Sequence, residues 1–168
     1  MIEEKYKQLC ETPSDVNFHL PTIRKYVSQG DIVVELGVRH VVSTWALLAN
    51  KPKALISVDV EQPPAQNLAE AERAAKEIGT DFRFLKQDST KVLIEPYIDV
   101  LFVDTLHLYS HLVKELWRHA ENTRKYIIFH DYGIPEVGAC IQDFMFNPNW
   151  KWVEINGEGT KLAVVGRV

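Results

Sequence analysis

Acidic residues end all five of the strands that the sequence predicts to be parallel. In an open parallel sheet, ligands bind beyond the carboxyl ends of the strands, so residues at these positions face one cleft. Caps and turns account for an occasional carboxylate at a strand end, but they do not account for one at every strand. The sequence therefore predicts a functional cleft whose acids are Glu35, Asp59, Asp88, Asp104 and Asp131.

A histidine close to two of these acids suits acid–base chemistry. Asp104 begins the segment Asp-Thr-Leu-His-Leu-Tyr, which contains His107, and Asp131 ends the next strand. An alcohol is a weak nucleophile because its proton is tightly held, and an imidazole removes such a proton near neutral pH. A divalent ion at the same place would lower the pKa of the hydroxyl. The three residues predict a site that activates an acceptor hydroxyl.

The turn after the first predicted strand contains a single glycine. It reads Glu-Leu-Gly-Val-Arg-His-Val-Val-Ser-Thr from Glu35 to Thr44. It matches neither the G-x-G-x-x-G of a dinucleotide-binding turn nor the G-x-x-x-x-G-K-[ST] of a phosphate-binding loop. An acid followed two residues later by Gly37 suits a ligand with an ammonium group and no phosphate. A dehydrogenase is a third interpretation, which predicts that the chain binds a dinucleotide.

The elements that position these residues alternate between β-branched runs and helical periods, which is typical of an α/β fold with a largely parallel sheet. The last two runs, joined by Asn-Gly-Glu-Gly, predict an antiparallel hairpin. No linker or repeat divides the chain, so residues 1–168 are predicted to be one domain with an N-terminal helical segment over 1–30. The predicted strands are 31–37, 53–60, 81–88, 98–104, 125–131, 151–155 and 160–166, and the helices include 21–29, 43–50 and 63–78, with apolar stripes over 109–117 and 137–145.

Helical spacing assigns the side chains of an apolar stripe to the core and the side chains outside the stripe to solvent. Trp117 falls on the apolar stripe of its helix, and we expect it to pack under the hairpin with Trp150 and Trp152. His111 and His119 fall outside that stripe and are interpreted as solvated helix positions.

The composition excludes several classes of protein. Of 168 residues, 46% are hydrophobic and 25% are charged, as in ordinary globular proteins. No apolar run approaches the ~20 residues of a membrane span, and no signal-peptide core is present, so we expect no membrane partner and a cytoplasmic location. The net charge of −4 argues against a nucleic-acid partner, which requires a basic face. Cys10 and Cys140 form no metal or redox motif and are expected to be free thiols.

Taken in order, these features resemble the class I S-adenosylmethionine-dependent methyltransferases over residues 31–168. The resemblance implies a Rossmann-like α/β fold with a seven-stranded, mostly parallel sheet, a C-terminal antiparallel hairpin, and helices on both faces. It also implies that the first strand end holds the cofactor S-adenosylmethionine, with Asp59 on the ribose hydroxyls and Asp88 near the adenine. The residues assigned to the cofactor are Glu35, Gly37, Arg39, Ser43, Asp59, Asp88, Ser89 and Asp104.

The motif D-x-x-H-x-Y, followed by His-Asp after the fifth strand, is similar to one branch of that family, the small metal-dependent O-methyltransferases of sugar, macrolide and cephalosporin pathways. The similarity implies a small-molecule or sugar acceptor, a divalent metal at Asp104 and Asp131, and His107 as the general base. His130 stands where that branch has a carboxylate, and it is the third candidate metal ligand. The resemblance implies Mg²⁺, but Mg²⁺ prefers oxygen ligands to an imidazole. The expectation is therefore Mg²⁺, Mn²⁺ or no metal.

Two departures from the family pattern leave an alternative open. The family usually has glycine where this chain has Val41, whose side chain either crowds the methionine part of the cofactor or is accommodated by a wider turn. With His130, this residue supports the alternative of a catalytically degenerate module that acts through a protein partner. The chain also lacks the long N-terminal cap of many relatives, so we expect a shallow acceptor pocket or one completed by a second subunit of a homo-oligomer.

Overall fold

The computed structural model of the protein describes residues 1–157 and 159–168. Its seven strands are β1 (Ile32–Leu36), β2 (Ala54–Asp59), β3 (Asp81–Lys86), β4 (Ile98–Val103), β5 (Thr123–Phe129), β6 (Trp150–Asn156) and β7 (Leu162–Arg167). They form one sheet in the order β3-β2-β1-β4-β5-β7-β6. Strands β1 to β5 pair in parallel, and β7 pairs antiparallel with both β5 and β6. The predicted sheet and hairpin are confirmed, although Glu158 of the predicted hairpin turn lies outside the described residues.

Helices cover both faces of the sheet, as the resemblance implies. They are α1 (Ile2–Glu11), α2 (Leu20–Lys25), α3 (Ser43–Leu48), α4 (Ala65–Ile78), α5 (Tyr109–His119) and α6 (Pro135–Phe144). Side chains of α1 to α4 pack in one buried cluster with Phe102 of β4, and those of α5 and α6 pack in a second cluster with Leu101. Every residue of β4 is buried, as expected of a central parallel strand.

Helix α2 ends earlier than the apolar pattern predicts, at Lys25 rather than Gln29. The side-chain amide of Asn50 donates hydrogen bonds to the carbonyl groups of Arg24 (3.0 Å) and Val27 (2.8 Å). Carbonyl groups at a helix C-terminus lack intrahelical partners, and here a side chain from beyond α3 supplies them. The local pattern did not predict this end because the partner lies far along the chain.

The packing predicted for Trp117 is wrong, and so is the solvation predicted for His119. Trp117 is 85% exposed, and Trp152 is 40% exposed, whereas Trp150 is buried and contacts Phe144. His119 is only 1% exposed. Helix α5 is therefore rotated so that a face carrying His119 points inward and Trp117 points to solvent.

Neither cysteine is bonded to the other. Cys10 is half-buried and Cys140 is buried, and both are free thiols, as expected. Burial raises the pKa of the Cys140 thiol to about 11, which makes it a poor nucleophile at neutral pH. No helix in the described part of the chain has the length and apolar character to cross a membrane.

Candidate active site

A cavity of about 860 Å³ opens at the carboxyl ends of β1 to β5. Most of the residues that the sequence assigns to a site line it together, although they come from five separate segments. Glu35 and His130 do not line this cavity. The assigned residues that do are Gly37, Arg39, Ser43, Asp59, Asp88, Ser89, Asp104, His107 and Asp131.

Gly37 lies where the end of β1 contacts the end of β4. Its φ is +86°, a conformation that glycine adopts without a steric penalty. A Cβ at this position would lie 1.9 Å from the carbonyl oxygen of Asp104. The Asp104 amide also donates to the Leu36 carbonyl at 2.8 Å. The glycine thus lets two walls of the cavity approach each other.

The carboxylate of Asp59 organises the turn that follows Gly37. Its Oδ2 accepts the backbone N–H groups of Val38 (2.8 Å) and Arg39 (3.1 Å), and its Oδ1 accepts that of Glu61 (2.9 Å). Arg39 has a φ of +45°, and its side chain reaches Asp15 of the N-terminal segment at 2.6 Å. Asp59 therefore faces the cavity in a fixed orientation.

Asp88 is held in a similar way after β3. Its Oδ1 accepts the Thr90 hydroxyl (2.6 Å) and the Thr90 amide (2.9 Å), and Lys91 lies 3.1 Å from its Oδ2. These contacts lower the pKa of Asp88 to about 2. The cavity thus carries a fixed negative charge at this end.

Glu35 lies behind the cavity wall, although the sequence assigns it to cofactor binding. Its side chain is fully buried and accepts hydrogen bonds from Ser43 (2.6 Å), Thr44 (2.9 Å) and Ser57 (2.5 Å). Burial raises the pKa of Glu35 to about 7, although the three hydroxyl groups oppose that rise. The Ser43 hydroxyl, also assigned to the cofactor, donates to Glu35.

We expect Glu35→Gln to remove a pH dependence from the stability of the protein. Because the pKa of Glu35 is higher in the folded state (about 7) than its ordinary value of 4.5, the folded chain binds more protons between these values. The contribution of Glu35 to the free energy of unfolding therefore falls as pH rises from 4.5 to 7, by about 3 kcal/mol. Urea denaturation of both proteins at pH 4.5, 6 and 8 measures this difference. The exposed control Glu61→Gln should keep the wild-type pH dependence, and parallel curves for Glu35→Gln and wild type would contradict the prediction.

Val41 does not crowd the cavity. It has a φ of +66°, which is rare for a β-branched residue, and it is 1% exposed within the core cluster of α1 to α4. It is not among the residues described as lining the cavity. The chain thus keeps the left-handed backbone that a glycine would supply, while the valine side chain packs into the core.

Three side chains converge at the ends of β4 and β5. One ligand atom from each of Asp104, His107 and Asp131 lies within 4.8 Å of the others. His107 Nε2 is 2.6 Å from Asp131 Oδ2. Asp131 is fixed by a left-handed backbone with a φ of +58° and is almost fully buried. Two carboxylates and an imidazole form a donor set that suits a divalent ion such as Mn²⁺.

His130 lies behind this cluster. Its Nδ1 is 3.2 Å from Asp104 and 3.0 Å from Asp131, and its Nε2 is 3.0 Å from the Thr160 hydroxyl and 3.2 Å from the Asp15 carbonyl. Burial opposes the charged form, but the two carboxylates outweigh it and raise the pKa of His130 to about 10. The group of candidate ligand atoms at this place contains His107 and not His130.

The sequence reasoning missed a polar stripe on α5. His111, Glu115 and His119 are spaced by four residues, and this spacing places them on one helix face. Glu115 accepts the hydroxyl groups of Ser89 (2.5 Å) and Thr105 (2.9 Å). The His119 imidazole bonds the Ser89 carbonyl at 2.7 Å, and burial lowers the pKa of His119. The four-residue spacing was a signal, but the polar partners come from the β3–β4 connection and from the segment after β4.

Comparison with known proteins rests on structure, since no protein-family model and no curated protein matches the sequence. The N-methyltransferase NodS from Bradyrhizobium japonicum WM9, in complex with S-adenosylhomocysteine, aligns with a TM-score of 0.68 and 12% identity over 99% of this chain and 98% of that chain. The chain has a methyltransferase fold. An rRNA methylase from Streptococcus thermophilus aligns with a TM-score of 0.62 and 12% identity over 93% and 98% of the two chains.

The methyltransferase fold is therefore established, and the class I architecture implied by the resemblance is confirmed. The same structural neighbours bear on the expectation that the protein has no nucleic-acid partner. Because a protein described as an rRNA methylase shares this fold, the fold gives no reason to exclude a nucleic-acid acceptor. That expectation depends on the net charge of −4 alone.

Proposed function

We propose that the protein is an S-adenosylmethionine-dependent methyltransferase that methylates a hydroxyl group of a small molecule or sugar. The observation that carries this proposal is one cavity that joins the turn of Gly37 and Asp59 to the cluster of Asp104, His107 and Asp131. When bound, S-adenosylmethionine would supply a methyl group to the acceptor oxygen: an O–C bond forms, the C–S bond of the sulfonium breaks, and its electron pair stays on sulfur.

In this proposal the residues at the β1 to β3 ends hold the cofactor. Asp59 has its carboxylate fixed by backbone N–H groups and faces the cavity, where it would accept ribose hydroxyls. Asp88 and Ser89 line the same cavity beside the position proposed for the adenine. Six carboxylates line the cavity, and their negative charge favours a cationic sulfonium ligand; they are Asp15, Asp59, Glu61, Asp88, Asp104 and Asp131.

His107 is the proposed general base. Its Nε2 lies 2.6 Å from Asp131 Oδ2, so a neutral imidazole with its proton on Nε2 leaves Nδ1 unprotonated and able to take the acceptor proton. A carboxylate that orients an imidazole in this way also stabilises the imidazolium that forms. Asp104 and Asp131 would hold a divalent ion, which would lower the pKa of a bound hydroxyl.

Calorimetric titration with S-adenosylhomocysteine, with and without Mg²⁺ or Mn²⁺, tests the proposal. We expect micromolar binding, and we expect Mn²⁺ to bind wild-type protein but to bind Asp131→Asn at least about 10-fold more weakly, because removal of a ligand lowers metal affinity. Asparagine tolerates the left-handed backbone of residue 131, so this variant should fold. The matched control is Asp143→Asn, which changes an exposed carboxylate outside the cavity.

The titration with S-adenosylhomocysteine tests the cofactor, and the titration with Mn²⁺ tests the metal. An absence of binding of S-adenosylhomocysteine under every condition would contradict the proposed cofactor. Equal Mn²⁺ affinity of Asp131→Asn and wild type would contradict the metal. The alternative of a non-catalytic binding module loses the support of Val41, whose side chain packs in the core. That alternative predicts cofactor binding with no turnover on a broad panel of acceptors.

A further inference from the structure

Glu115 is a buried carboxylate without a solvent contact. Its side chain is 0% exposed, and its partners are Ser89 Oγ at 2.5 Å, Thr105 Oγ1 at 2.9 Å and His111 Nε2 at 3.2 Å. An isolated carboxylate is costly to bury, and a cation in direct contact offsets that cost. The hydrogen bond to Glu115 raises the pKa of His111, although burial opposes the rise. His111 therefore stays protonated to a higher pH than a free histidine, and in that form it makes an ion pair with Glu115.

Only one side of this ion pair reaches the cavity. His111 lines the cavity with Asp88 and Ser89, and its side chain is 20% exposed. Glu115 does not line it. Because Nε2 bonds Glu115, the second N–H of the imidazolium, on Nδ1, is left to meet a ligand. An imidazolium carries two donors and no acceptor, so a ligand group beside it must be an acceptor.

The wall around His111 is held in place from two directions. Glu115 accepts the Ser89 hydroxyl, and the buried His119 donates to the Ser89 carbonyl at 2.7 Å. Glu115 also accepts the hydroxyl of Thr105, which follows β4. A donor held by packed, hydrogen-bonded neighbours selects for the position of its acceptor, because little reorganisation is needed when the ligand binds.

We propose that His111, held by Glu115, is a specificity-determining residue that donates a hydrogen bond to a ring nitrogen of the purine base of the cofactor. The unprotonated ring nitrogens of adenine are acceptors, as this donor requires. The inference rests on the proposed function, which places the adenosyl group beside Asp88 and Ser89. Glu115 is a positioning residue, since it touches His111 and not the ligand.

A thermodynamic cycle tests this contact. S-Adenosylhomocysteine and its 1-deaza, 3-deaza and 7-deaza analogues are titrated calorimetrically into wild-type protein, His111→Leu and Glu115→Gln. Each analogue replaces one ring nitrogen by C–H and so removes one acceptor. We expect wild type to bind one of the three about 10-fold more weakly than the parent ligand, or weaker still, as for loss of a hydrogen bond to a charged group. His111→Leu should bind that analogue and the parent within about 2-fold of each other.

Glu115→Gln provides a second test if His111→Leu does not fold. It keeps the shape of the side chain but removes the charge that holds the imidazolium, so the discrimination between the two ligands should shrink. The control is Lys114→Gln, an exposed charge change on the same helix, which should keep the wild-type discrimination. A purely structural effect would weaken the binding of all four ligands equally and would leave the ratios unchanged.

The four ligands distinguish a wrong assignment of the His111 contact from a wrong assignment of the cofactor. If wild type binds S-adenosylhomocysteine but binds all three deaza analogues equally well, the contact with His111 is wrong and the cofactor is right. Full discrimination by His111→Leu would lead to the same conclusion. If wild type binds none of the four ligands, the proposed cofactor itself is wrong.

Discussion

Gly37→Ala should abolish measurable binding of S-adenosylhomocysteine and lower the stability of the protein. The added Cβ would lie 1.9 Å from the Asp104 carbonyl oxygen and 2.6 Å from its carbon, so the ends of β1 and β4 would have to separate. The φ of +86° adds a second penalty. We expect a loss of about 3–5 kcal/mol in the free energy of unfolding, which is typical of overpacking combined with backbone strain, and at least about 100-fold weaker binding.

Gly79→Ala is the matched control for the backbone term. Gly79 has a φ of +76°, but a Cβ there would meet nothing within 4 Å. This variant should lose only about 1–2 kcal/mol and should bind S-adenosylhomocysteine like wild type, because Gly79 lies after α4 and not at the cavity. Urea denaturation and calorimetry measure the two effects. If both variants lose the same stability, the close approach of Gly37 and Asp104 does not limit the site.

His107→Ala should lower methyl transfer by about 10²–10⁴-fold, which is the usual contribution of a general base. The affinity for S-adenosylhomocysteine should stay unchanged, because His107 faces the carboxylates of the acceptor end of the cavity. The side chain is 47% exposed, so the variant should fold. Release of S-adenosylhomocysteine over a panel of hydroxylated acceptors measures turnover.

His40→Ala is the control, since His40 also lines the cavity but is not part of the cluster with Asp131. It should keep turnover within about 3-fold of wild type, as expected for a residue that takes no part in proton transfer. Turnover by His107→Ala at the wild-type rate would rule out His107 as the base. Loss of cofactor affinity and turnover in equal measure would assign His107 to binding instead.

The sheet could be predicted because each strand carries its own evidence in the chain. The run of residues 100–103 in β4 is apolar on both faces, as burial between two helical layers requires, and Gly79 ends α4 in the left-handed conformation. Once the strands are located in the sequence, the acids that lie at their ends are identified as well. The structure brings Asp59, Asp104 and Asp131 to one cavity, as the parallel arrangement requires.

Features that depend on distant contacts could not be predicted in this way. Helical spacing offers several faces of α5, and it does not reveal that the β3–β4 connection brings Ser89 against Glu115 and His119. The same limitation applies to Trp117, whose apolar character suggested burial. A side chain becomes buried because of its neighbours, and those neighbours come from elsewhere in the chain.

Backbone conformation explains why the interpretation of the first turn needed the structure. The type of residue at position 41 suggested a steric conflict, but the left-handed backbone turns the Val41 side chain into the core. The contacts of Glu35 also differ from those that its position in the sequence suggested. Its place at the end of a strand predicted a ligand contact, whereas Ser43, Thr44 and Ser57 surround it with hydroxyl groups. In both cases the direction of the side chain decides what it contacts, and residue spacing in the sequence does not encode that direction.

The place of β7 in the sheet sets an order in which the site is completed during synthesis. β7 lies between β5 and β6, although it is the last of the seven described strands in chain order. Until β7 is synthesised, β6 has no strand to pair with, and Thr160 cannot reach His130. Strand β1, which precedes Gly37, and strand β2, which ends at Asp59, are partners in the sheet and are synthesised much earlier. In a nascent chain, the strands around the part of the cavity proposed for the cofactor are therefore available before those around the part proposed for the acceptor.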